Sequence, residues 1–90
     1  MLFLEHENGK TLVVGLGHGE SVLSFVEHGG ATFHSVGDLG RTGCLRFWCR
    51  DQLDEFMAEM AIPELVAVRA AFEFFRTGDR PVEITWEADW

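Results

Sequence analysis

The stretch IPELVAVRAAFEFFRTGDRPVEITW, Ile62–Trp86, decides the fold. It reads as one long helix, a stop, a short turn and a final strand. Pro63 falls where a first-turn proline is tolerated, because its missing N–H would be unpaired there anyway. Glu64 suits the positive end of the helix dipole and Arg76 the negative end. The interior is Leu, Ala, Val, Arg, Glu and Phe, with no Gly or Pro until Gly78. Gly78 then supplies a left-handed C-terminal residue, and Pro81 blocks resumption. At about 100° per residue the polar side is narrow, holding Arg69, Glu73 and Arg76. Apolar residues, Phe72, Phe74 and Phe75 among them, occupy most of the rest. A helix apolar over so much of its circumference is covered on more than one side. One sheet covers one side, so something else is expected to cover part of the remainder. The Phe75 ring carries a numerical consequence: if it lies in the core, Phe75→Ala costs about 3–5 kcal/mol.

The remaining segments alternate as strands. Leu2–His6 begins the chain, and Asn8-Gly9 is a two-residue hairpin signal. Lys10–Leu16 follows, with Leu12, Val14 and Leu16 on one face, and ends in Gly15-Leu16-Gly17-His18-Gly19. Ser21–Glu27 carries Leu23 and Phe25 on one side, Val22 and Val26 on the other. Gly29-Gly30 turns into Ala31–Val36. The glycine-rich loop 37–43 leads to Cys44–Cys49, with Leu45 and Phe47 on one face and Arg46 and Trp48 on the other. Asp51–Met60 has Leu53, Phe56, Met57 and Met60 at helical spacing, but it is short, acidic and followed by Ile62-Pro63. It reads as a helical turn or irregular connection. After the long helix, Val82, Ile84 and Trp86 alternate with Glu83, Thr85 and Glu87 as a one-sided strand. Short strands joined by tight turns imply an α+β fold: an antiparallel meander of about five to six strands, one long C-terminal helix on one face, and a final strand.

Ninety residues make one domain, 1–90, and a chain of this size buries roughly 60–65% of its unfolded surface. Its 47% hydrophobic content and 8 Phe are enough for a modest core. The net charge of −8 argues against direct contact with nucleic acid or an anionic membrane and suits a basic protein partner. No run approaches a membrane span, and no basic-then-apolar leader precedes a cleavage site, which points to the cytoplasm. Cys44 and Cys49 fall on opposite faces of a strand and read as two reduced, mostly packed thiols.

No catalytic or cofactor motif survives inspection. Gly15-Leu16-Gly17-His18-Gly19 lacks the glycine spacing and following helix of a dinucleotide loop, and the lysine of a P-loop is absent. The histidines at 6, 18, 28 and 34 and the two cysteines lack the paired spacing of zinc ligands. His18-Gly19-Glu20 matches half of a zinc-deaminase signature, whose cysteine half is missing. Ser21, Ser35 and Asp38 sit in no nucleophile-elbow pattern. We therefore expect no catalytic residue, no metal and no cofactor.

The acidic run is the more informative feature. Asp51, Asp54, Glu55, Glu59 and Glu64 stand close together, with Arg50 the only base beside them, and Trp48, Phe56 and Met57 lie in or next to the run. One reading is a solvated face. The other is a landing surface for a basic protein, in which carboxylates speed encounter and aromatics supply affinity. The candidate partner-binding residues are Trp48, Asp51, Asp54, Glu55, Phe56 and Glu59.

These residues also carry a resemblance. Leu12-Val13-Val14-Gly15-Leu16-Gly17, Ser21-Val22-Leu23, Ser35-Val36-Gly37-Asp38, Ile62-Pro63, Ala67–Phe75, Thr77-Gly78-Asp79-Arg80-Pro81 and Trp86 stand in the order found in an immunity-protein family. It is the first-numbered immunity family of bacterial polymorphic toxin systems, often encoded beside toxins of the nucleic-acid deaminase type. The resemblance implies an α+β fold and a non-catalytic inhibitor that binds a cognate toxin and occludes its active site. Relatives carry an N-terminal segment with a helix before the first strand, which this chain does not show. The alternative is an interaction or homodimerisation module whose apolar helix finds cover in a copy of itself.

Overall fold

The computed structural model describes residues 2–17, 19–49 and 52–89. The strands are β1 (Leu2–Glu5), β2 (Thr11–Gly17), β3 (Glu20–Val26), β4 (Thr32–Val36), β5 (Cys44–Cys49), β6 (Gln52–Met57) and β7 (Ile62–Pro63). Helix α1 (Glu64–Thr77) and strand β8 (Thr85–Asp89) complete the chain, and a 3-10 turn, Ala58–Met60, joins β6 to β7. The main sheet is six-stranded and antiparallel in the order β1-β2-β3-β4-β8, with β7 paired to β3. It is the expected α+β architecture, a meander closed by the last strand.

Cross-strand partners share a face of a sheet, so the register sorts the core. Leu12 pairs with Phe25 and Val14 with Leu23. All four are buried, and they meet Ala67, Ala70 and Phe74 of α1. The two alanines let the helix backbone approach the sheet, and Phe74 fills the space between them. The Phe74 ring packs edge-to-face on Phe25 at 5.9 Å and on His6 at 6.0 Å. Phe25 in turn meets Trp86 at 6.0 Å, which ties β8 to the centre of the core.

Pro63 precedes the helix instead of entering it: it pairs with Glu20 across β3 and β7, and the helical residues begin at Glu64. Gly78 closes α1 as expected, with φ of 71° and its N–H donating to the Phe74 carbonyl at 2.7 Å. The side chain of Asn8 reaches across from the β1–β2 turn and donates to the Gly78 carbonyl at 2.8 Å.

Two expected elements change. Asp51–Met60 is chiefly a strand: β6 pairs with β5 along its whole length, and only Ala58–Met60 is helical, as a 3-10 turn. Cross-strand pairing of Arg46 with Glu55 and Leu45 with Phe56 outweighs the helical spacing of the apolar residues in so short a segment. β5 therefore leaves the meander for a separate two-stranded sheet. The last strand also starts late, at Thr85 instead of Val82. The Pro81 carbonyl accepts from the Ile84 N–H at 3.4 Å and from the Trp86 indole N–H at 3.0 Å, which draws residues 82–84 into a turn. Val82 is consequently exposed, whereas Ile84 is buried.

Candidate protein-binding surface

The β5–β6 hairpin lies outside the main sheet and is anchored at its base. The Gly37 N–H donates to the Glu59 carbonyl at 2.7 Å, and the Ala58 N–H to the Gly43 carbonyl at 2.9 Å. The Ser35 hydroxyl donates to the Met60 carbonyl at 2.8 Å while accepting from the Leu23 N–H at 3.0 Å. A single buried side chain thus satisfies groups on β3 and on the returning chain. Arg41, in the loop entering the hairpin, grips the Glu20 carboxylate with both terminal nitrogens, one of them at 2.9 Å. This bidentate pair holds Glu20 below the usual carboxylate range and raises Arg41, the hydrogen bond being the largest cause in each.

The register divides the hairpin into two faces. Phe47 is buried and Phe56 half-buried, and their rings meet edge-to-face at 5.9 Å. Phe47 opposes Asp54, which is half-buried beside it. On the opposite face Arg46 and Glu55 form an exposed ion pair at 3.2 Å, next to the exposed Cys44 and Met57 and in line with Leu53. The exposed Cys44, at the open end of the hairpin opposite Met57, corrects the expectation of a packed thiol there, and the Cys49 side chain lies outside the described part of the structure.

The structure therefore distributes the candidate residues over one hairpin and its exit. Glu55 is exposed on the outward face. Asp54 and Phe56 lie on the inward face, and Glu59 is half-buried in the 3-10 turn. Trp48 is in β5 opposite Leu53. Asp51 lies outside the described residues, as do His18 and Arg50. The apolar members Leu53 and Met57 were not singled out as contacts from sequence. Alternation along a strand would have paired them with Glu55, but the segment's helical spacing hid it. Among the described residues no three His, Cys, Asp or Glu side chains converge as a metal site, and no helix is long and apolar enough to cross a membrane.

A second surface is formed by other elements. An apolar groove of about 230 Å³ runs between β1 and α1, its walls including Leu2, Leu4, Val68, Phe72 and Phe75. Leu65, Phe72 and Phe75 are 80%, 71% and 56% exposed, so the sheet leaves much of the wide apolar face of α1 uncovered.

The structure is a small α+β domain with two surfaces, the β5–β6 hairpin and the α1 groove, that expose apolar side chains. The chain belongs to the immunity-protein family Imm1, whose sequence model matches residues 3–88. No curated protein and no solved structure matches the chain.

Proposed function

We propose that this immunity protein neutralises a basic bacterial toxin of the nucleic-acid deaminase class by docking the acidic β5–β6 hairpin over the toxin's active site. Family membership across residues 3–88 carries the reading. The hairpin supports the choice of surface: it stands outside the main sheet, and Glu55, Leu53 and Met57 expose carboxylate and apolar groups side by side. Carboxylates of this kind accelerate encounter with a basic partner, and desolvated apolar neighbours slow its departure. The protein contributes no chemistry of its own and works in the cytoplasm, where the toxin would otherwise reach its substrate.

The test is co-expression with the toxin encoded beside it. A stable complex, restored growth and loss of deamination are expected. Growth arrest that persists beside an abundant, folded immunity protein would overturn the assignment. Self-association through the apolar face of α1, the other reading of the sequence, uses a different surface and is compatible with this one.

A further inference from the structure

The exposed side of α1 is patterned. Leu65, Val68, Phe72 and Phe75 follow one another at spacings of three, four and three residues, the a/d repeat of a helix that packs against another helix. The sheet buries Ala67, Ala70 and Phe74, one face further round, and leaves the stripe along the open groove beside β1. All four residues of the second stripe are exposed.

We propose that α1 pairs with the α1 of a second copy, antiparallel, about a two-fold axis at the level of Ala70. In that register Leu65 stacks on the partner's Phe75, and Val68 on the partner's Phe72. Each layer then combines one aliphatic side chain with one phenylalanine, so the seam has even width. A parallel pair would set Phe72 and Phe75 each against itself and Val68 against Val68, giving layers of unequal size. The antiparallel pair is isologous and closed, leaving no free copy of the surface to propagate. Leu2 and Leu4 of β1 border the same groove and extend its apolar wall.

Charge favours a second copy over a basic partner here. α1 carries Glu64 and Glu73 against Arg69 and Arg76, so the helix is neutral although the chain has a net charge of −8. Arg69 is further balanced by Glu83, 3.6 Å away. The acidity that would repel a second copy and draw a basic toxin resides elsewhere. The proposed dyad also brings Glu64 level with the partner's Arg76 at each end of the seam, and sets the two helix dipoles in opposition.

Light scattering after size exclusion tests this without any toxin, so it stands or falls apart from the assignment above. The wild-type chain is expected to move with concentration from 10.1 kDa to twice that mass. Leu65→Lys and Phe75→Glu should each stay monomeric with an unchanged circular dichroism spectrum. Mixed in equal amounts they should dimerise again, because one layer becomes Lys opposite Glu and the other returns to Phe opposite Leu. Phe72→Ser, a milder change, should weaken the wild-type dimer on its own. A wild-type chain that remains monomeric at high concentration overturns the proposal. So does a dimer indifferent to these substitutions, or a mixture of the two charge variants that stays monomeric.

Discussion

Gly37 and the Ala61 carbonyl are in such close approach that a methyl group on Gly37 would collide with it: the carbonyl carbon would lie 3.0 Å away and the oxygen nearer still. The contact is backbone on both sides, so no flexible side chain can swing aside. It occurs where the chain leaves β4 for the hairpin and where it returns, sealed by the Gly37 N–H to Glu59 carbonyl bond. Gly37→Ala is expected to cost about 1–3 kcal/mol by overpacking, read from urea denaturation. Amide exchange at the base of the hairpin should rise in the same variant, while the β2–β3 amides stay protected.

Ser35→Ala acts on the same junction by another route. It removes a hydroxyl that serves both the Met60 carbonyl and the Leu23 N–H, in a site with no exposure of the serine. Each backbone group left unpaired in a buried site costs about 1–3 kcal/mol, the Leu23 N–H in full and the part-buried Met60 carbonyl less. Ser35→Thr, which keeps the hydroxyl, should recover part of that loss if the extra methyl is accommodated. Thermal unfolding of the two variants side by side checks it.

Adjacent phenylalanines on α1 have opposite roles. Phe74 is fully buried between Phe25 and His6, and Phe75 is half-exposed at the groove. Phe74→Ala should therefore destabilise the fold by about 3–5 kcal/mol. Phe75→Ala, measured in dilute solution, should cost less than about 1 kcal/mol. Equal losses would place both rings in the core.

The contrast marks what the sequence could and could not convey. Helix α1 was legible because Glu64, the apolar interior and Gly78 agree on one element, and alternation put Leu12 with Val14 and Leu23 with Phe25 on single faces without saying which face of the sheet the helix covers. Periodicity says that a helix is apolar nearly all round, but not which stripe the sheet takes. Ala67 and Ala70 decide that, because only small residues admit the backbone this close. The hairpin was half legible. β5 alternates clearly, whereas β6 has apolar residues at helical spacing and gains its strand character from pairing with β5, a non-local cause. The acidic run drew attention to the segment that forms β6 and the 3-10 turn. A helical reading could not anticipate that Glu55 would face solvent while Asp54 and Phe56 turn inward.

Acidification should loosen the hairpin loop before it unfolds the core. Arg41 holds the Glu20 carboxyl below its ordinary value of 4.5, and the Arg80 N–H holds that of Asp79 below 3.8. A carboxylate whose folded-state pKa is depressed contributes stability that is complete above its unfolded value and is lost as pH falls through the folded one. Wild type and Arg41→Gln should thus differ in Tm at neutral pH and converge as the pH drops below about 4.5. In Arg41→Gln the Glu20 titration, followed by carbon NMR, should move up toward the ordinary range. An unmoved midpoint would mean the guanidinium does not hold that carboxylate in solution.

The proposed docking surface makes a kinetic prediction. Replacing Asp51, Asp54 and Glu55 with Lys reverses the charge of the acidic run, and circular dichroism checks that the fold is kept, because Asp54 is half-buried opposite Phe47. If the hairpin meets a basic toxin, the change acts mainly on long-range attraction. The association rate should fall by about tenfold or more at low salt, and its salt dependence should flatten. Dissociation should change less, because apolar contacts such as those of Leu53 and Met57 govern it. Glu55→Lys also sets a second cation opposite Arg46, so Glu55→Gln is the control that removes the charge without that repulsion. Leu53→Ala and Met57→Ala should show the converse pattern, faster dissociation with little effect on encounter. Stopped-flow measurements over a salt series separate the two. Association rates and salt slopes identical to wild type in the triple variant would remove the hairpin from the toxin interface.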